Sequence, residues 1–278
     1  MTGTSFTLNR GKTPLLVSVP HSGTALPEWL EPRLVARALD VEDTDWHLEN
    51  IYRFVLDQGA SLIAPRYSRF LIDLNRPPDN QPMYVGANNT ELCPTRFFTG
   101  DPIYKDGEAP LSDEIQSRLE HYWRPYHQTL SLELARIKSI HGYAILFDAH
   151  SIKSQLPWLF DGQLPDLNLG TADGTSCAAD LRRNLDACLA AQQHFSYVVD
   201  GRFKGGYITR SFGQPAASIH AVQLEMCWRC YMDEAPPYEL APERVANLQP
   251  VLFSLIKVML DWRPNVSGDH SSSASPRE

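Results

Sequence analysis

Six short apolar runs punctuate the chain: LLVSV (15–19), SLIAP (61–65), FLIDL (70–74), AILFDA (144–149), YVVD (197–200) and AVQLEM (221–226). Each has the length and branched content of a buried strand. Between them run helical patterns. Leu48, Tyr52 and Val55 recur at spacings of three and four from Asp45 onward and stop at Gly59. A second pattern starts at Ser112 and passes through Ile115, Leu119, Tyr122, Tyr126, Leu130, Leu134 and Ile137, with Pro125 expected to kink or split it. Further helices are expected over roughly 176–193 and 242–262. Strands alternating with helices predict an α/β fold, its sheet covered on both faces.

The chain has 278 residues, 43% of them hydrophobic, which is enough for one large core. Neither repeat nor linker divides it, so one domain over 1–264 is expected, followed by a polar tail, NVSGDHSSSASPRE (265–278), expected to be disordered. Residues 77–110, rich in Pro, Asn, Gly and Asp, form a long excursion of the kind used for lids and binding loops.

A net charge of −8 without a Lys/Arg-rich block argues against nucleic acid and anionic membranes and favours small soluble substrates. No window approaches the ~18 apolar residues of a membrane span, and the opening residues lack the build of a signal peptide. Five cysteines read as reduced thiols of a cytoplasmic protein. Cys227 and Cys230 are closely spaced but lack the second pair that a structural zinc site needs.

Two of the apolar runs end alike, in VSVPHSG and ILFDAHS, so His21 and His150 both fall at strand exits. Ligands gather at the carboxyl ends of strands in α/β sheets. Imidazole is the commonest zinc ligand, and a catalytic site adds a third protein ligand. The stretch VEDTDWHLENIY supplies candidates. Asp43 is placed as a helix N-cap. Asp45 shares the buried face of that helix with Leu48 and Tyr52, and His47 is the second choice. Asp148, two residues before His150, is positioned to orient a ligand imidazole. A lone histidine is more often structural; two at strand ends with an inward Asp favour a metal.

In IHAVQLEM, Ala221, Gln223 and Glu225 share one strand face. Glu225 beside a metal would serve as general base; its bland alternative is an ion pair to Arg229 or Arg210. Cations cluster in PRYSRFLIDLNR, GRFKGGYITR and CWRC. Of these Arg76 is expected to project near the metal, whereas Arg66 and Arg202 also fit exposed surface positions. Gly205 and Gly206 permit a close backbone approach.

Taken in order, PHSG, DTDWH, SRFLIDLNRP, FDAHS, FKGGYITR and QLEM resemble the N-formylglutamate amidohydrolase family over residues 12–262. That resemblance implies a mixed, mostly parallel sheet sandwiched by helices, similar to zinc carboxypeptidases and aspartoacylases. Those relatives take a Glu ligand three residues after the first His; here Thr24 stands there. The implied site is one zinc held by His21, Asp45 (alternatively Asp43) and His150, with Glu225 as catalytic base. Asn75, Arg76 and Arg210 would bind the substrate's carboxylates. The implied activity is hydrolysis of N-formyl-L-glutamate in bacterial histidine catabolism. Deacylation of another N-acyl amino acid and non-catalytic carboxylate binding are the alternatives.

Overall fold

Seven strands make one mixed sheet in the computed structural model, which describes residues 4–83, 86 and 88–264. In chain order they are β1 (Phe6–Asn9), β2 (Leu15–Ser18), β3 (Ser61–Pro65), β4 (Ala144–Ile152), β5 (Leu167–Gly170), β6 (Tyr197–Val199) and β7 (Ile219–Cys227). Their spatial order is β1-β3-β2-β4-β7-β5-β6. The four central strands, β3, β2, β4 and β7, run parallel, while β1–β3 and β5–β7 pair antiparallel. This is the mostly parallel mixed sheet expected.

The helices are α1 (Leu48–Ile51), α2 (Phe54–Asp57), α3 (Ser112–Arg118), α4 (Arg124–His141), α5 (Ala179–Ala191), α6 (Tyr207–Phe212) and α7 (Pro242–Asp261). Strand alternation divides the core in two. On one side Val17, Ile145, Phe147 and Leu224 pack with Leu48 and Tyr52 from the α1 segment, Leu185 of α5 and Leu255 of α7. On the other, Leu16, Ile63, Leu146 and Ala221 meet Tyr126, Leu130 and Leu134 of α4. Helices on both faces bury β2, β3 and β4 along their whole length, which is why these strands read as largely apolar runs. Among the described residues no helix is long and apolar enough to cross a membrane.

Several expectations need correction. FLIDL is a buried loop, not a strand. Its backbone acceptors are satisfied from the side: Arg118 donates to the Leu71 carbonyl at 2.8 Å and His127 to that of Leu74 at 2.8 Å. A segment so provided for needs no neighbouring strand. The helix expected from Asp45 is two short ones, although Leu48, Tyr52 and Val55 do face the core. Pro125 acts as expected, since a π-helical turn over Leu119–Trp123 precedes it and it occupies the first turn of α4. The tail 265–278 lies outside the described residues.

Candidate metal centre and catalytic site

Five buried polar residues of the central strands fall on the α4 side. Asp148 and His150 occupy alternate positions of β4, and in register Asp148 lies beside Ser18 of β2 and Gln223 of β7, while His150 lies beside Glu225. The three central strands therefore present Ser18, Asp148, Gln223, His150 and Glu225 as one polar field near their carboxyl ends. His150 is inside β4 rather than beyond its end, because pairing with β7 extends that strand to Ile152. His21 sits three residues past β2 in a turn, and its carbonyl accepts the Asp45 N–H at 3.0 Å. This bond ties the Asp45 segment to the first histidine.

Three side-chain atoms converge there. His150 Nδ1 lies 3.1 Å from His21 Nδ1 and 3.1 Å from Asp45 Oδ2, and His21 Nδ1 lies 3.7 Å from that same oxygen. All three side chains are buried. Each imidazole's other nitrogen faces a carboxylate: His21 Nε2 donates to Asp73 Oδ1 at 2.7 Å and His150 Nε2 to Asp148 Oδ2 at 3.0 Å. Carboxylates only accept, so they hold the ring protons at Nε2 and leave the Nδ1 atoms facing inward. Two inward nitrogens and a carboxylate oxygen need positive charge between them. A proton serves one pair; a metal ion serves all three. A tetrahedral zinc with ligands at ~2.0–2.1 Å sets ligand atoms about 3.4 Å apart, close to the spacing found, and these residues fit such an ion.

Burial opposes ionisation of Asp45, yet its interactions with His150 and His21 outweigh it and lower its pKa below the ordinary range. Burial likewise opposes charge on His150, but Asp148 and Asp45 raise its pKa well above the usual value. Asp73 is held well below its usual range because Arg69, His21 and Arg76 outweigh burial. Arg69 itself is buried, bonded to Asp73 and stacked over Phe98 at 4.6 Å. Glu225 behaves differently: burial pushes its pKa up to about 8. A carboxylate that readily takes up a proton beside the cluster has the property of a general base.

Asp45 precedes α1 instead of lying on it, since His47, with φ of 65°, is the residue that starts the helix. It reaches the cluster through a turn, and Ser151 N–H donates to its Oδ2 at 3.2 Å. Asp43 is not an N-cap. Its Oδ2 accepts the Phe98 N–H at 2.9 Å, and burial pushes its pKa up to about 7. His47 turns away and donates to the Tyr238 carbonyl at 2.8 Å. Of the three candidates, the structure brings Asp45 to the histidines.

A cavity of about 70 Å³ opens onto His21, His150 and Glu225. Arg69, Arg76 and Arg202 give it positive charge. Met83, Asn88 and Phe98 of the long excursion supply another wall, with Leu159 and Phe160 beside them. Arg76 is braced by Thr90, donating from Nε to its carbonyl at 3.0 Å and from Nη2 to its hydroxyl at 2.9 Å. Asn75 Nδ2 lies 2.9 Å from His150 Nε2 and donates to Asp148 Oδ2 at 3.3 Å, and Asn75 Oδ1 accepts the Ile208 N–H at 2.8 Å. Its amide is thereby engaged with the protein. Gly206 is needed for that contact, because a Cβ there would lie 2.3 Å from Asn75 Nδ2.

Arg210 is not among the cavity's lining residues. It is exposed on α6 and donates from Nε to the Gly205 carbonyl at 2.8 Å. Arg202, on the loop before α6, stands in the lining and donates to the Leu159 carbonyl at 3.1 Å. Sequence reasoning missed Asp73 as the partner of His21. No local spacing marks it, because 52 residues separate the two.

Residues 13–232 match the family model described as N-formylglutamate amidohydrolase. The chain belongs to that family. It is 48% identical over 254 residues to the N-formylglutamate deformylase of Pseudomonas putida, across 91% of this chain and 95% of that protein. It is 47% identical to the enzyme of the same name from Pseudomonas aeruginosa, with the same coverage. The crystal structure of an N-formylglutamate amidohydrolase from Ralstonia eutropha superposes with a TM-score of 0.78 at 26% identity, covering 92% of this chain and 97% of that one. The fold of this amidohydrolase-family chain is thus matched nearly end to end, with the His–Asp–His cluster on the shared scaffold.

Proposed function

We propose that this protein hydrolyses N-formyl-L-glutamate to formate and L-glutamate with the help of one metal ion, zinc, held by His21, Asp45 and His150. The observation that carries the reading is the convergence of both Nδ1 atoms and Asp45 Oδ2, each histidine backed by a carboxylate, in a family member 48% identical to an N-formylglutamate deformylase. A bound zinc supplies Lewis acidity toward the formyl oxygen and toward water.

The chain's own residues do the rest. Asp73 and Asp148 keep the imidazole protons on Nε2 and fix the ring orientations. Glu225, next to His150 across β4 and β7, takes a proton from the attacking water and returns it to the departing amine. Arg76 and Arg202, on the cavity wall, bind the two carboxylates of the glutamyl part, giving an acidic substrate a cationic seat in an acidic protein. Arg69, tied to Asp73, holds the His21 side of the cluster. Apolar Phe98, Leu159 and Phe160 exclude water around the amide.

The same reading includes a cytoplasmic setting and a role in bacterial histidine catabolism. Its test is a substrate panel. Purified protein should release formate from N-formyl-L-glutamate much faster than acetate from N-acetyl-L-glutamate or formate from N-formyl-L-leucine. Equal rates on the leucine compound would remove the glutamyl part of the reading; acetate release alone would replace formyl by acetyl.

A further inference from the structure

The two histidines of the cluster are backed differently. Behind His21, Asp73 is bonded to Arg69, a full positive charge. Behind His150, Asp148 meets neutral donors. Ser18 Oγ donates to Asp148 Oδ1 at 3.1 Å, and the Tyr126 hydroxyl lies 3.1 Å from Ser18 Oγ. Asp148, Ser18 and Tyr126 are all fully buried.

The direction of this chain follows from its chemistry. A carboxylate has no proton to give, so the single proton of Ser18 goes to Asp148. Ser18 then has only lone pairs left for Tyr126, and the phenol must donate to it. The run of donation is Tyr126 to Ser18 to Asp148, with Asp148 accepting the His150 Nε2 proton on its other oxygen. It links α4, β2 and β4 to the cluster.

We propose that Ser18 and Tyr126 are positioning residues for the metal, acting on His150 through Asp148. Two hydrogen bonds in series fix the Asp148 carboxylate in the plane that meets Nε2, and so aim the Nδ1 atom of His150. Hydrogen bonds linked in this way polarise one another, so Tyr126 strengthens the Ser18 bond without touching Asp148. The inference rests on the metal-site reading above and adds two residues to it, one of them on a helix outside the sheet.

The experiment is a zinc titration of metal-free protein against a chromophoric chelator at fixed pH. It compares wild type, Ser18→Ala, Tyr126→Phe, the double variant and Tyr52→Phe. Circular dichroism confirms folding of each. Tyr52 is the control: it too is a fully buried tyrosine, but it packs in the core on the other side of the sheet, with its hydroxyl 3.8 Å from Met226 Sδ. Ser18→Ala should weaken zinc binding about tenfold, in the range seen when the outer partners of metal ligands are removed. Tyr126→Phe should weaken it by less, about threefold. The double variant should bind no more weakly than Ser18→Ala, because Tyr126 acts only through Ser18. Tyr52→Phe should bind as wild type.

Wild-type affinity in Tyr126→Phe, or losses that multiply in the double variant, overturns the chain while leaving the metal site standing. A wild type that binds no zinc overturns both.

Discussion

The Nδ1 atoms of His21 and His150 face each other at 3.1 Å although 129 residues separate them in the chain. Parallel pairing of β2 with β4 brings the segments together, and two carboxylates turn the rings inward. Asp45 completes the group because the His21 carbonyl holds its backbone N–H.

Asp45 and Asp43 should separate cleanly. Asp45→Asn is expected to weaken zinc binding at least about a hundredfold, more than loss of an outer partner. Asp43→Asn should leave affinity within about twofold, because Asp43 serves the Phe98 N–H instead. Titration of the two metal-free variants checks this.

Glu225→Gln keeps shape and removes the proton acceptor. Its kcat should fall about a hundredfold to ten-thousandfold with zinc content unchanged. A KM within about threefold of wild type would assign the loss to the chemical step, not to binding. Steady-state kinetics with metal analysis measures both.

The arginines should sort by position. Arg76→Met and Arg202→Met are each expected to lower kcat/KM about tenfold to a hundredfold, the worth of a charged hydrogen bond. Arg210→Met should stay close to wild type, since Arg210 is exposed and outside the cavity lining. A reversed order would return Arg210 to the substrate.

His127 should make stability depend on pH. Burial outweighs its hydrogen bond to the Leu74 carbonyl and lowers its pKa to about 4, against an ordinary 6.5. The unfolded chain therefore binds the proton first as pH falls. Stability from this residue is complete above about pH 6.5 and declines as pH falls toward 4, by at most ~3 kcal/mol. Urea unfolding of wild type and His127→Gln across that range should show a shallower decline in the variant.

Much of this was legible in the sequence because fully buried parallel strands leave apolar runs, and β2, β3, β4 and β7 did so. The strands β1 and β5, FTLN and LNLG, are four residues each and half polar in letters, so nothing distinguishes them from loops. FLIDL misled because burial alone was mistaken for strand pairing; the side chains of Arg118 and His127 supply its hydrogen bonds from far along the chain. In the site, His21, His150 and Glu225 could be read from strand ends and alternation. A helix-face argument points to Asp45, yet it reaches the cluster from a turn. Arg202 and Arg210 stand eight residues apart in one stretch, and only the folding of the loop before α6 decides which one enters the cavity.

The most direct measurement is formate release from N-formyl-L-glutamate by purified protein, before chelation, after it, and with zinc restored in steps. Activity should vanish with the metal and return in proportion to zinc, reaching its full value at one ion per chain. Undiminished turnover in metal-free protein, or full zinc loading without formate, would contradict the account.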